Sequence, residues 1–171
     1  MDIRLELLKP EDEEQFIKDN QVAFNYGAEQ YFNEQELKEQ HEEEGQIISR
    51  ETIVNSIHQE GSIAYRIIAD NKKVGGIIIN LKDDFGELEI FFVIPSSESK
   101  GIGQAAWKEI ERLHPEVKAW ETVTPYFEKR NIHFYVNKLG FHIVEFYNEF
   151  DKDKHMPEEL DGMFRFQKII K

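Results

Sequence analysis

A mixed α+β fold follows from three features of the sequence. Segments of alternating apolar and polar residues recur, three of them in succession between residues 63 and 94. Helix-spaced apolar residues fall before that run and again after Gly101. The element order starts with a strand and helices, passes through a strand meander and ends in alternating helix and strand, with no internal repeat or low-complexity linker. A chain of 171 residues, 40% hydrophobic, can bury one continuous core, so a single domain over residues 1–171 is expected.

From Ile3 to Leu8 apolar and charged residues alternate, which predicts a half-buried strand, and Lys9-Pro10-Glu11-Asp12 then supplies an acidic first helical turn. Phe16, Ile17 and Phe24 keep helical spacing over Glu11 to Phe24, with Asn25-Tyr26-Gly27 as the expected stop. Glu29 to Glu44 is rich in glutamate and glutamine and reads as a solvated face. Ser49-Arg50-Glu51-Thr52 starts a further helix, whose apolar side is Ile53, Val54 and Ile57 and which ends by Gly61. The meander strands are Ile63 to Ala69, Lys73 to Leu81 and Gly86 to Ile94, parted by Asp70-Asn71 and Lys82-Asp83-Asp84-Phe85. A helix through Leu113 follows, then a strand over Val117 to Val123, a helix ending at Gly140, and strands over Phe141 to Phe150 and Phe164 to Ile170.

Cysteine is absent, which excludes disulfides, thiolate metal sites and a cysteine nucleophile. The longest apolar run, Ile77-Ile78-Ile79, is far too short to span a bilayer, and Met1-Asp2-Ile3-Arg4-Leu5 lacks the pattern of an export signal, so a cytoplasmic location away from membrane is expected. A formal charge of −13 repels phosphate backbones and argues against a nucleic-acid partner. The same field favours approach of a cation, although acidity serves solubility alone in many proteins. The histidines at positions 41, 58, 114, 133, 142 and 155 show no metal-ligand spacing, and no metal is expected.

Val93-Ile94-Pro95 closes the third meander strand, and Gly101-Ile102-Gly103 opens the next helix. A strand, a tight loop and a helix start together suit an anion, because the first helical amides lack acceptors and the helix dipole favours negative charge there. Glycine lets an anion approach the backbone, and Lys100 adds a positive side chain. A glycine pair also marks many plain strand-to-helix connections, so these residues alone leave both readings open.

The flanking residues are more specific. Phe91-Phe92-Val93-Ile94-Pro95-Ser96-Ser97-Glu98-Ser99-Lys100-Gly101-Ile102-Gly103-Gln104-Ala105 resembles the central motif of the GCN5-related N-acetyltransferase (GNAT) family, in which a strand ending in Val-x-Pro leads into Arg/Gln-x-x-Gly-x-Gly/Ala. The resemblance implies the GNAT fold, a mixed and mostly antiparallel sheet of about seven strands flanked by helices, with acetyl-CoA as acetyl donor. It further implies that Val93 offers backbone groups to the pantetheine arm, and that the amides of Ser99, Lys100, Gly101, Ile102, Gly103 and Gln104 cradle the pyrophosphate. The family's Arg or Gln is here Glu98, and its usual next glycine is Ser99. A carboxylate beside a pyrophosphate is unfavourable, so Glu98 is expected to turn to solvent, with Lys100 compensating in part.

Asn131-Ile132-His133-Phe134-Tyr135-Val136-Asn137-Lys138-Leu139-Gly140-Phe141 resembles the family's later motif. The match implies that Asn131 contacts the pantetheine arm and that the Tyr135 hydroxyl is the general acid for the departing thiolate. The family tyrosine sits four residues before the glycine, whereas Tyr135 sits five before Gly140. Either the helix end differs by one residue and Tyr135 returns to the cofactor, or Tyr135 is a core aromatic.

An alkylammonium cannot attack a thioester until it loses a proton, so a base is needed. Strand alternation predicts that Glu87 and Glu89 share a face with Phe91 and Val93, and the resemblance implies that such a strand glutamate acts through water; Glu89 is the first candidate, with Glu87 behind it. The Val93 amide is a candidate donor to the oxyanion. His133 reads as a helix-surface or packing residue and Trp120 as core; Tyr126, Phe127 and residues Asn25 to Gly45 are candidates for lining an acceptor pocket. The expected activity is transfer of an acetyl group to a primary amine of a small molecule or peptide in a ternary complex, with aminoglycosides, polyamines, amino acids and protein N-termini all open. The alternative is a non-catalytic acyl-CoA-binding or regulatory module on the same fold, and a homodimer is compatible with either.

Overall fold

The computed structural model describes residues 1–98, 100–148 and 162–171; Ser99 and the last two residues of the strand expected over 141–150 lie outside them. Strand β1 (Ile3–Leu7) is followed by a 3-10 turn at Pro10–Asp12 and by helices α1 (Glu13–Glu29), α2 (Glu34–Gln40) and α3 (Arg50–His58). The meander is β2 (Ser62–Ala69), β3 (Lys72–Lys82) and β4 (Phe85–Val93). Then come α4 (Ile102–Leu113), β5 (Ala119–Pro125), α5 (Lys129–His133) running on into a π-helical turn at Phe134–Lys138, β6 (His142–Tyr147) and β7 (Met163–Ile169). The strands form one seven-stranded sheet in the order β1-β2-β3-β4-β5-β7-β6. Every neighbouring pair is antiparallel except β4 and β5.

Local chemistry explains most boundaries. Pro10 occupies the first position of the turn that leads into α1, where its missing N–H costs nothing. Ser49 caps α3 by accepting from the Thr52 amide at 3.0 Å, and Asn33 and Glu36 cap the start of α2 reciprocally. Asp70 and Asn71 both adopt positive φ, as a two-residue hairpin turn requires. Helix α1 runs past the stop expected at Asn25-Tyr26-Gly27, because Ala23 and Ala28 on its inner side are buried and that packing outweighs the weak helix preference of glycine.

Two apolar layers sandwich the sheet. On one face Ile102, Ala106, Trp107 and Ile110 of α4 pack with Ile77, Ile79, Leu88 and Trp120 of the strands and with Tyr135 and Phe141. On the other, Phe16, Ile17 and Ala23 of α1 and Ile53 of α3 pack with Ile78, Ile90 and Phe92. That α1 layer also holds a buried charge network. Arg66 of β2, 2% exposed, donates to both Asp12 carboxylate oxygens at 2.8 and 3.3 Å and to Asp19 at 3.0 Å, with its guanidinium 5.2 Å from the Phe16 ring centroid. Lys73 reaches Asp12 at 2.9 Å. Burial alone would raise the Asp12 carboxyl, but the hydrogen bonds and charges of Arg66 and Lys73 hold it below its ordinary value.

The pairing of β4 positions the cleft described next. Ile78 faces Ile90 and Ile79 faces Leu88, so Glu89 is an extra residue in β4 that forms a bulge. Leu88 therefore enters the α4 layer, whereas Ile90 and Phe92 enter the α1 layer and Phe91 and Val93 return to the α4 side. On its other edge β4 pairs with β5 over Phe85–Ala119, Gly86–Trp120 and Glu87–Glu121 only. Beyond Glu87 the two strands part, while β5 stays paired with β7 along its whole length.

Replacing Arg66 with leucine leaves Asp12 and Asp19 without their main counter-charge and is expected to destabilise the fold by about 3–5 kcal/mol in urea denaturation. Because the folded Asp12 carboxyl lies below its unfolded value, its contribution is fully present above about pH 4 and is lost as the pH falls through the folded value. The penalty of the Arg66 substitution should therefore shrink when measured under strongly acid conditions.

Candidate active site

The gap between β4 and β5 opens beside the start of α4 and the turn that carries Tyr135. At its outer end, Gly101 takes a left-handed φ of 76°, and the first helical hydrogen bond of α4 runs from the Ala105 amide to the Gly101 carbonyl at 3.1 Å. The amides of Ile102, Gly103 and Gln104 precede that bond and have no helical acceptor, and Gly101 provides no side-chain cap. A Cβ on Gly103 would lie 2.9 Å from the Phe134 ring, so the start of α4 abuts the π-helical turn directly. The Gln104 side chain ties the same two elements by donating to the Lys138 carbonyl at 3.2 Å. Lys100 is exposed.

Backbone alternation sets the wall of the gap. The Ile94 amide donates to the Val74 carbonyl at 2.8 Å, so the N–H and C=O of Val93 point away from β3, towards the gap. The bulge at Glu89 has the same effect lower down, where the Leu88 carbonyl accepts from the Thr122 hydroxyl of β5 at 3.0 Å. The open amides of α4 and these backbone groups fit a long molecule with an anionic end, which the CoA moiety is.

Tyr135 stands on the far side. The Leu139 amide donates to the Phe134 carbonyl at 3.0 Å, a π-type bond that absorbs one additional residue between Tyr135 and Gly140. The residue offset read from the sequence is thus accommodated after Tyr135, and Tyr135 stays one turn from Asn131 on the same helical face. Its ring packs at 5.8 Å from Phe141 and 5.5 Å from Phe166, as a core ring does, while its hydroxyl faces Thr122. Burial, and after it the charge of Glu128, pushes the phenol well above its ordinary value, with Thr122 offsetting part of the rise.

Several placements differ from expectation. Glu98 is not turned to solvent: its side chain is 25% exposed, and its carboxylate accepts from Arg130 of α5 at 3.0 Å, so Arg130 rather than Lys100 is its counter-charge. Glu87 and Glu89 do not share a face with Phe91 and Val93, because the bulge shifts the alternation; they lie against each other on the α3 side, where Gln59 donates to Glu89 at 3.0 Å. Burial, then the neighbouring charges of Glu89 and Glu121, raise the Glu87 carboxyl. Trp120, by contrast, is where the sequence put it, fully buried in the α4 layer.

Residues that sequence reasoning missed complete the cleft. Glu128 accepts from the Asn131 side chain, which also lies 3.5 Å from the Thr124 hydroxyl, and burial raises the Glu128 carboxyl. Helix α1 packs on β3 and β4, on the face opposite α4. Near its start Phe16 packs on Gly76 and Phe92; beyond its end the Tyr31 hydroxyl accepts from the Arg130 amide at 2.8 Å, and Phe32 meets Phe127 at 4.7 Å. Ile47 and Gln46 are held by Asn25, and a hollow of about 270 Å³ between α1, α2 and that loop is lined by Asn25, Glu29, Lys38 and His41. None of the candidate catalytic residues lines this hollow.

Comparison with known proteins agrees with this geometry. The profile of the Acetyltransferase (GNAT) family matches residues 22–141. The chain is 43% identical to the Bacillus subtilis (strain 168) protein YrkN over 179 aligned residues, covering 98% of this chain and 93% of that one. Among solved structures, the PaiA N-acetyltransferase of Thermoplasma acidophilum in complex with coenzyme A superposes with a TM-score of 0.71 at 18% identity, over 99% of this chain and 100% of that one. The ribosomal-protein-S18-alanine N-acetyltransferase of Escherichia coli gives 0.70 at 14% identity, over 99% and 94%. The chain belongs to the GNAT family of acetyltransferases, whose acetyl donor is acetyl-CoA.

Gly103→Glu adds a side chain where Phe134 leaves no room and sets a carboxylate among the open amides of α4. Calorimetric titration with CoA is expected to show at least about a hundredfold weaker binding for this variant.

Proposed function

We propose that this protein transfers the acetyl group of acetyl-CoA to a primary amine of a small molecule or peptide, by direct attack of the amine in a ternary complex. The observation that carries the reading is the parting of β4 and β5 between open helix amides at one end and a buried tyrosine hydroxyl at the other. The N-acetyltransferase activities of PaiA and of the S18-alanine enzyme support an amine acceptor.

Bound acetyl-CoA supplies an activated thioester carbonyl. The amides of Ile102, Gly103 and Gln104, with those of Ser99, Lys100 and Gly101 in the same loop, hold the pyrophosphate, and Asn131 holds the pantetheine arm. The Val93 N–H, turned into the gap, donates to the carbonyl oxygen as it gains charge. Glu89 takes the proton from the attacking ammonium on the α1 and α3 side of the sheet, directly or through water, and Glu87 beside it shares the load. Tyr135 protonates the leaving sulfur; its raised phenol stays protonated through neutral and mildly basic pH. Residues 25–45, with Tyr126 and Phe127, shape the acceptor pocket, and the acidity around Glu87, Glu89 and Glu121 suits a cation. The same reading sets the enzyme in the cytoplasm, as a monomer or homodimer.

A thiol-release screen over amines tests the activity, and CoA binding without turnover on any amine would favour a non-catalytic acyl-CoA-binding module instead. Tyr135→Phe is expected to lower kcat by about 10²–10⁴-fold with CoA affinity nearly unchanged; an unaltered rate would return Tyr135 to a packing role. In the pH profile, the raised phenol predicts no loss of kcat from tyrosine ionisation up to about pH 10. The acid limb should rise as the carboxylate base loses its proton.

A further inference from the structure

We propose that Arg130 is the counter-charge that lets the loop before α4 accept a pyrophosphate in spite of Glu98; the inference rests on the reading of that loop as the cofactor site. Glu98 stands three residues ahead of Gly101, in the loop that leads to the open amides of Ile102, Gly103 and Gln104. A carboxylate there repels the doubly charged group that the loop receives, and a chain of net charge −13 adds to the repulsion. The Lys100 side chain is exposed, whereas Glu98 accepts from Arg130 Nη2 at 3.0 Å.

Arg130 reaches Glu98 from across the cleft. It sits in the first turn of α5, and its backbone N–H is fixed by the Tyr31 hydroxyl at 2.8 Å. One residue is therefore anchored by the segment after α1 and spans to the loop before α4. With half of the Arg130 side chain exposed, the ion pair adds little to folding stability, so its value lies in the local potential. Glu98 and Arg130 together are neutral where Glu98 alone is an anion. The guanidinium also keeps donors that Glu98 does not occupy.

The test is calorimetric titration of CoA into the wild-type protein, Arg130→Gln, Glu98→Gln and the double variant, with melting temperatures measured in parallel. Arg130→Gln is expected to weaken CoA binding by about tenfold at low salt, with a smaller deficit at high salt. Glu98→Gln should bind at least as tightly as wild type, and the double variant should return to within about threefold of it, since removing the carboxylate removes the need for its partner. An unchanged affinity in Arg130→Gln overturns the proposal, as does a double variant as weak as Arg130→Gln. Failure of the wild-type protein to bind CoA would instead overturn the cofactor-site reading on which the inference stands.

Discussion

Among the described residues, strand pairing between the two antiparallel halves of the sheet runs over three residue pairs, Phe85–Ala119, Gly86–Trp120 and Glu87–Glu121. Strand β4 is committed to β3 along its length but to β5 only at its start, and the Glu89 bulge marks the point of departure. By shifting the alternation, the bulge sends Leu88 into one core layer and Ile90 into the other, and its neighbour's carbonyl turns to Thr122 rather than to a continuing ladder. Thr122 then faces the Tyr135 hydroxyl. One irregularity in one strand thereby links the end of backbone pairing to the buried hydroxyl beneath the cleft.

Charge is arranged with similar economy of position. Arg66, Asp12, Asp19 and Lys73 fasten the start of α1 to the sheet, and the segment after its end sets Tyr31 against the Arg130 amide and Phe32 against Phe127. An isolated Arg66 would be costly to bury, and the network satisfies it. Glu128 and Asn131 form a second, smaller pairing at the mouth of the cleft. Arg66 stands between Asp12 and Asp19, and Arg165 stands between Glu121 and Glu145.

Much of the fold was legible because period and turn chemistry agree locally: the Asp70-Asn71 hairpin, the Ser49 cap and the Gly101 helix start are each written in adjacent residues. Helix α1 was misread at its end because Gly27 is a local signal, whereas burial of Ala28 is a tertiary one. The loop before α4 and the Asn131 to Phe141 block were recognisable as motifs, but the face of Glu89 was not. A bulge changes side-chain direction without any residue that announces it, and simple alternation then gives the wrong face. The Glu98–Arg130 pair was invisible for another reason: its members are 32 positions apart and meet only through the fold. Glu128 had a weak signal, three residues ahead of Asn131 at a helix start, where a carboxylate readily meets the amide.

Both tryptophans of the chain lie at the base of this cleft. Trp107 of α4 and Trp120 of β5 are essentially inaccessible to solvent, and their rings meet edge to face with centroids 5.1 Å apart. Trp120 belongs to one of the three pairs that join the halves of the sheet, and Trp107 belongs to the helix whose first turn carries the open amides. The intrinsic indole fluorescence of the protein therefore originates from a single edge-to-face pair at the junction of the two halves. The chain carries its own optical probe at the place where the sheet divides.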